Sequence, residues 1–101
     1  MATFSEVTVQ QARDLLAART MLVLDKRDLS SYQQGHIDGA MMAHDSLIES
    51  LIKKREITKP VLIYCYRGNT SKELAALLAN FGYQEVYSMI GGYTEWKRVH
   101  E

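Results

Sequence analysis

The sequence has 101 residues, of which 47% are hydrophobic and 24% charged, so we expect a single globular domain over residues 1–101. Twelve basic residues balance twelve acidic ones, which argues against a partner such as nucleic acid or an anionic membrane that binds through overall charge. One cysteine excludes an internal disulfide, and no Cys/His spacing is typical of a metal site. Neither a signal peptide nor a membrane span is apparent, so we expect a cytoplasmic protein.

The first elements are a helix and a short buried strand. Thr8 is suited to cap a helix over residues 9–18. The apolar residues on its inner side are Ala12, Leu15, Leu16 and Ala17. Residues 21–24 then form an apolar run that ends at Asp25, as a buried parallel strand does.

The middle of the chain carries weaker signals. Residues 29–34 are compatible with a short helical turn, and residues 35–40 are typical of a loop that leads into another strand. An amphipathic helix is predicted to begin at Asp45 or Ser46, with basic residues 53–55 at its C-terminal end, where they complement the helix dipole.

The second half repeats the alternation of strand and helix. Residues 61–64 are a buried strand, and a helix is predicted from Ser71 until Gly82 stops it. The apolar face of that helix carries Leu74, Ala75, Leu77 and Leu78. A strand over 85–88, a Gly-Gly turn and a helix over 93–99 complete the chain. Strands that alternate with helices predict an α/β fold, with a central parallel sheet and helices on both faces.

The single cysteine, Cys65, stands where a predicted strand ends and a polar loop begins. Ligands of open α/β sheets bind at this end of the strands, and Gly68 permits a sharp turn that aims backbone N–H groups inward. Such a cradle, together with the next helix N-terminus, favours a thiolate near the surface, and Arg67 adds a cation suited to a small oxyanion. From the residues alone, a functional anion loop and a merely structural buried cysteine both fit.

Two long segments resemble the rhodanese homology domain. The first is LVLDKRDLSSYQQGHIDGA, which is similar to that family's Asp-x-Arg and Gly-His-Ile-x-Gly-Ala signature. The second runs from Cys65 to Trp96 and reads CYRGNTSKELAALLANFGYQEVYSMIGGYTEW. Together they cover most of the chain in the family's order. The resemblance implies a rhodanese-like three-layer α/β/α fold in a single domain.

The resemblance also implies thiosulfate sulfurtransferase chemistry without a cofactor or metal. Cys65 would take the outer sulfur of thiosulfate as a persulfide and pass it to cyanide, thioredoxin, glutathione or another thiol. Arg67 would bind the sulfonate, and the Thr70 hydroxyl would help to hold the sulfur. The implied substrate-binding loop consists of Tyr66, Arg67, Gly68, Asn69, Thr70 and Ser71, with N–H donors expected from residues 66–70.

Three residues of the first segment are implied to support the structure. Asp25 and Arg27 are expected to form an ion pair or hydrogen bonds near the site, and His36 to form a hydrogen bond without acting in catalysis. Lys26 departs from the family, which commonly has an aliphatic residue there, and residues 41–45 lack the proline that often follows. These departures concern the contacts of the first segment more than the chemistry of the loop.

Two other functions stay open at this point. Phosphatases of one type share the fold, but their loop places an arginine six residues after the cysteine, where this chain has Ser71. A sulfur-relay or binding module that acts only with a protein partner would have the same sequence features. Turnover of thiosulfate without an added protein separates the enzyme from such a module.

Overall fold

The computed structural model describes residues 3–100, which form one parallel sheet flanked by helices. The strands β1–β5 are Ser5–Val7, Leu22–Asp25, Met41–Met42, Val61–Tyr64 and Val86–Met89. The helices α1–α5 are Val9–Ala18, Leu29–Gln34, Asp45–Lys54, Thr70–Asn80 and Gly92–His100. The strand order is β1-β5-β4-β2-β3, and every neighbouring pair is parallel. The predicted α/β fold with a central parallel sheet is confirmed.

The core lies on both faces of the sheet, because alternate residues of a strand point to opposite sides. In β4, Val61 and Ile63 pack with residues of α3 and α4, whereas Leu62 and Tyr64 pack with residues of α1 and α5. All four β4 residues are buried, which is expected for the central strand of a sheet covered by helices on both faces. This strand ends directly before Cys65.

The predicted strand over 61–64 is confirmed, two other strands are shifted by one residue from the prediction, and one strand was missed. Asp25 lies inside β2 and is fully buried, although its charge suggested that the strand ended before it. The last strand begins at Val86, one residue later than predicted. Glu85, which directly precedes it, forms a surface ion pair with Arg19. Strand β1 gave no hydrophobic signal, since only Val7 of its three residues is buried.

The helices agree closely with the prediction. Thr8 caps α1 in a capping box with Gln11. His44 caps α3, because its Nδ1 accepts a hydrogen bond from the Leu47 N–H at 3.2 Å. Two residues placed on inner faces are exposed instead, namely Ala17 and Leu77.

The remaining helix ends shift by one residue, with α4 beginning at Thr70 and α5 running from Gly92 to His100. Within residues 3–100, no helix has both the length and the apolar character needed to cross a membrane.

Candidate active site

Cys65 lies at the carboxyl end of β4, between the ends of β5 and β2 in the sheet. The next helix, α4, begins only five residues later, so the connecting loop turns tightly around the cysteine. The expectation of a thiol near the surface was wrong, because Cys65 is only 2% exposed. A buried thiol is shielded from bulk water, so neighbouring groups determine its ionisation.

Three neutral hydrogen-bonding groups surround the sulfur. The N–H of Gly68 lies 3.2 Å from Cys65 Sγ, and the N–H of Ser71 lies 3.3 Å from it. The Ser71 hydroxyl is 3.4 Å from Sγ, where it accepts a hydrogen bond from the thiol. Donors were expected from residues 66–70 and from the N-terminus of the next helix. Among the described residues, the backbone donors to Sγ are Gly68 of the loop and Ser71 in the first turn of α4. Both donors favour the thiolate over the thiol.

These contacts lower the pKa of the Cys65 thiol. Burial by itself raises the pKa, because it disfavours the charged form. The hydroxyls of Ser71 and Thr70 and the N–H groups of Ser71 and Gly68 outweigh burial and lower the pKa to about 7. Of the two hydroxyls, only that of Ser71 makes a hydrogen bond with Sγ within the described chain. A substantial fraction of the thiol is therefore ionised near neutral pH, as a nucleophilic cysteine requires.

The N-terminus of α5 holds the backbone of the loop. The N–H of Tyr93 donates to the carbonyl of Cys65 at 2.8 Å, and the N–H of Thr94 donates to the carbonyl of Tyr66 at 3.1 Å. Gly92 makes this approach possible, because a Cβ at that position would lie 2.5 Å from the Cys65 carbonyl oxygen. These two hydrogen bonds fix the first peptide units of the loop, which precede the Gly68 N–H that donates to the sulfur. The Gly-Gly pair was predicted only as a turn, and this contact was missed.

The other loop residues form an exposed rim around the sulfur. Arg67, Asn69 and Thr70 are exposed, and Arg67 has no hydrogen-bond or ion-pair partner among residues 3–100. Tyr66 is also exposed, but its hydroxyl donates a hydrogen bond to Asp28. The guanidinium of Arg67 is thus available to an anion at the mouth of the loop.

A buried ion pair connects the first sequence segment to this loop. Arg27 Nη2 lies 2.7 Å from Asp25 Oδ2, and the two side chains are 5% and 0% exposed. Arg27 also donates to the Gly35 carbonyl at 2.6 Å, and its guanidinium lies 4.1 Å from the centre of the Tyr93 ring. The Tyr64 hydroxyl donates to Asp25 at 2.6 Å. The pair therefore connects to the residue before Cys65 and to the helix that holds the loop.

The third residue of that segment, His36, forms local contacts. Its Nδ1 lies 2.7 Å from the carbonyl oxygen of Tyr32, and its ring stacks on the Tyr32 ring with centroids 3.9 Å apart. No contact with Cys65 is found for His36 in the described part of the chain. Within residues 3–100, moreover, no three His, Cys, Asp or Glu side chains form a group that could hold a metal ion.

A second buried serine, Ser88, contacts Ser71 and was not predicted from the sequence. Ser88 of β5 is 1% exposed, and its Oγ lies 2.8 Å from the Oγ of Ser71, which is fully buried. The sequence signal was weak, since a single serine in a short strand is usually solvent-facing. A row of three side chains, Cys65, Ser71 and Ser88, thus runs from the sulfur into the core.

Comparison with known proteins agrees with this architecture. Residues 8–99 match the model of the rhodanese-like domain family. The chain is 38% identical over 103 residues to thiosulfate sulfurtransferase GlpE of Tolumonas auensis, covering 99% of this chain and 94% of that protein. It is 34% identical over 97 residues to thiosulfate sulfurtransferase GlpE of Pseudoalteromonas translucida, covering 96% of this chain and 92% of the relative.

A solved structure, the rhodanese-like domain of a protein from Anabaena, superposes with a TM-score of 0.80 at 25% identity. The match covers 93% of this chain and 74% of that one. On the match over residues 8–99 and on these similarities, the chain belongs to the rhodanese-like domain family.

Proposed function

We propose that this chain is a thiosulfate sulfurtransferase that works as a single domain, with Cys65 as its nucleophile. The observation that carries the proposal is the buried sulfur held by the N–H groups of Gly68 and Ser71, with its pKa lowered to about 7. The relatives named thiosulfate sulfurtransferase support the choice of substrate.

In the first half-reaction, the Cys65 thiolate attacks the outer sulfur of thiosulfate. A new S–S bond forms at Cys65, the S–S bond of thiosulfate breaks, and sulfite leaves with the electron pair of that bond. No base is needed, because a substantial fraction of the nucleophile is already ionised near neutral pH. Arg67 binds the sulfonate group of thiosulfate and then the departing sulfite, and the N–H groups of the loop stabilise the persulfide anion.

In the second half-reaction, an acceptor attacks the outer sulfur of the persulfide. The S–S bond breaks, its electron pair returns to Cys65, and the thiolate is restored. Cyanide as acceptor yields thiocyanate, whereas a thiol such as thioredoxin or glutathione yields a persulfide of its own. The reaction requires a reduced cysteine, which suits the cytoplasmic location expected from the sequence.

The loop favours sulfur transfer over phosphatase activity. Six residues after Cys65, where the phosphatase loop has its arginine, stands Ser71, which is fully buried and hydrogen-bonded to Ser88. That position cannot present a cation to a phosphate group. The one loop arginine, Arg67, lies two residues after the cysteine, where its guanidinium can pair with the sulfonate group of thiosulfate.

The residues of the first segment support the site in this proposal without taking part in the chemistry. Asp25 and Arg27 hold Tyr64 and Tyr93, which flank the loop. His36 fixes the turn that follows α2 through its hydrogen bond to Tyr32.

The test is the mass of the intact protein after brief incubation with thiosulfate, followed by cyanide. We expect a gain of about 32 Da, one sulfur atom on the nucleophile, that cyanide removes. Cys65→Ser is the matched control and should show no gain. A wild-type protein that gains no sulfur, yet accepts it from a protein donor, would identify a relay module instead of a free enzyme. A gain that persists in Cys65→Ser would exclude Cys65 as the sulfur carrier.

A further inference from the structure

Ser88 is a buried polar residue that the reaction described above does not use. It lies in β5, where its neighbours Tyr87 and Met89 pack against the core, and its backbone pairs with Ile63 of β4 and Glu6 of β1. With strands on both sides, the position of Ser88 in the sheet is fixed. A buried hydroxyl is costly unless it is hydrogen-bonded, and its partner is the Ser71 hydroxyl at 2.8 Å.

The ionisation of Cys65 requires the Ser71 hydroxyl to reverse its direction. In the thiol form, Cys65 donates to Ser71 Oγ at 3.4 Å, so the Ser71 proton points away from the sulfur. In the thiolate form, the sulfur can only accept, and the Ser71 proton turns to Sγ. The Ser71 oxygen can then accept a hydrogen bond from another group, and the Ser88 hydroxyl lies at hydrogen-bond distance from it.

We propose that Ser88 is a positioning residue, whose hydroxyl donates to Ser71 and thereby turns the Ser71 proton toward the sulfur of Cys65. A donor behind a hydrogen bond polarises it and strengthens it, and this cooperativity is greatest where water is excluded. Ser71 and Ser88 are 0% and 1% exposed, so bulk water does not replace either hydroxyl. The inference deepens the proposed function, since it rests on the same ionised Cys65.

Ser71 is well placed to transmit this effect because it contacts the sulfur twice. Its backbone N–H lies 3.3 Å from Sγ and its hydroxyl 3.4 Å from Sγ. The other backbone donor to the sulfur in the described chain, Gly68, contributes only its N–H. The hydroxyl of Ser71 is therefore the part of the cradle that a side chain from the sheet can orient.

The test measures the rate of Cys65 alkylation by iodoacetamide as a function of pH. Cys65 is the only cysteine of the sequence, so the midpoint of the profile reports its ionisation alone. We expect Ser71→Ala to raise the midpoint by roughly one pH unit, since a hydrogen bond to a charged group is lost. Ser88→Ala should raise it by about 0.1–0.3 unit, since the cooperative strengthening of that hydrogen bond is lost.

A double substitution separates positioning from a general structural effect. If Ser88 acts through Ser71, then Ser88→Ala adds no further shift in the Ser71→Ala background. Tyr83→Phe is the control, because it removes another buried hydroxyl hydrogen bond, 2.7 Å to the Leu51 carbonyl, away from the sulfur. Its midpoint should equal that of the wild type.

A second pair of variants, Ser88→Thr and Ser88→Val, is matched in volume and differs in whether the side chain carries a hydroxyl. Ser88→Thr retains the hydroxyl and should keep the wild-type midpoint, whereas Ser88→Val, of similar shape, should raise it. Equal midpoints for Thr and Val, or an equal shift from Ser88→Ala in both backgrounds, would overturn the proposal. Alkylation needs no thiosulfate, so failure of the persulfide mass assay would count against the proposed function and leave this measurement valid.

Discussion

The contact between α5 and the loop of Cys65 predicts a large effect for Gly92→Ala. A Cβ at position 92 would lie 2.5 Å from the Cys65 carbonyl oxygen and 2.6 Å from the Tyr66 carbonyl carbon and oxygen. These are backbone atoms at the end of a buried strand, so no side-chain rotation relieves the clash. In addition, the φ angle of 58° at Gly92 lies in the left-handed region that L side chains rarely adopt.

The size of the effect follows from these two costs. The left-handed conformation costs an alanine about 1–2 kcal/mol, and overpacking against a rigid neighbour costs about 1–3 kcal/mol. We therefore expect the free energy of unfolding to fall by about 2–5 kcal/mol, which lowers Tm by roughly 10–30 °C in a domain of this size. Chemical denaturation and a thermal melt measure both quantities.

Gly39→Ala provides the matched control. Its φ angle is 82°, but nothing lies within 4 Å of a Cβ built there. It should therefore incur only the conformational cost of about 1–2 kcal/mol. At a temperature where both variants are folded, Gly92→Ala should also lose roughly 10- to 100-fold in kcat/KM for thiosulfate, because the loop is displaced, while Gly39→Ala keeps the wild-type value. Equal destabilisation by the two substitutions would refute the close packing of α5 on the loop.

Three further predictions concern charge. Arg67→Ala should raise KM for thiosulfate more than it lowers kcat, because a contact with the bound anion is lost. Steady-state kinetics measures both constants. An unchanged KM would show that Arg67 does not bind thiosulfate. The alkylation rate of Cys65 should rise with pH around a midpoint of about 7, below the ~8.5 of a free cysteine. A midpoint at or above that reference would show that the hydrogen-bond donors around the sulfur do not lower its pKa. Because the pKa of the folded state is the lower one, the thiolate stabilises the fold fully above the unfolded pKa, and this contribution is lost as the pH falls through about 7. Asp25→Ala should destabilise the protein by about 3–5 kcal/mol, since it leaves Arg27 buried without its partner. Glu95→Ala, which removes an exposed ion pair, should leave the denaturation midpoint close to that of the wild type in the same experiment.

The sequence by itself determined the order of the main elements and the place of Cys65 in the sheet. The apolar residues 61–64 are confirmed as a strand, and the helix after Thr8 is confirmed over its full length. Both signals are local, because helix periodicity, capping and short apolar runs depend on residues close in the chain. Since the carboxyl ends of parallel strands share one edge of the sheet, the sequence predicts that Cys65 lies at the edge where ligands of such sheets bind.

Only the tertiary structure decided which groups surround the sulfur. Strand β1 was missed because a three-residue edge strand with one buried side chain has no periodic signal. Ser88 is 23 positions from Cys65, and it reaches Ser71 only because β5 pairs with β4. Gly92 lies against the Cys65 carbonyl for the same reason. A local pattern predicts where a chain turns and which face of an element is buried. Contacts between distant segments depend instead on strand register and on the packing of helices against the sheet, and no local pattern encodes either.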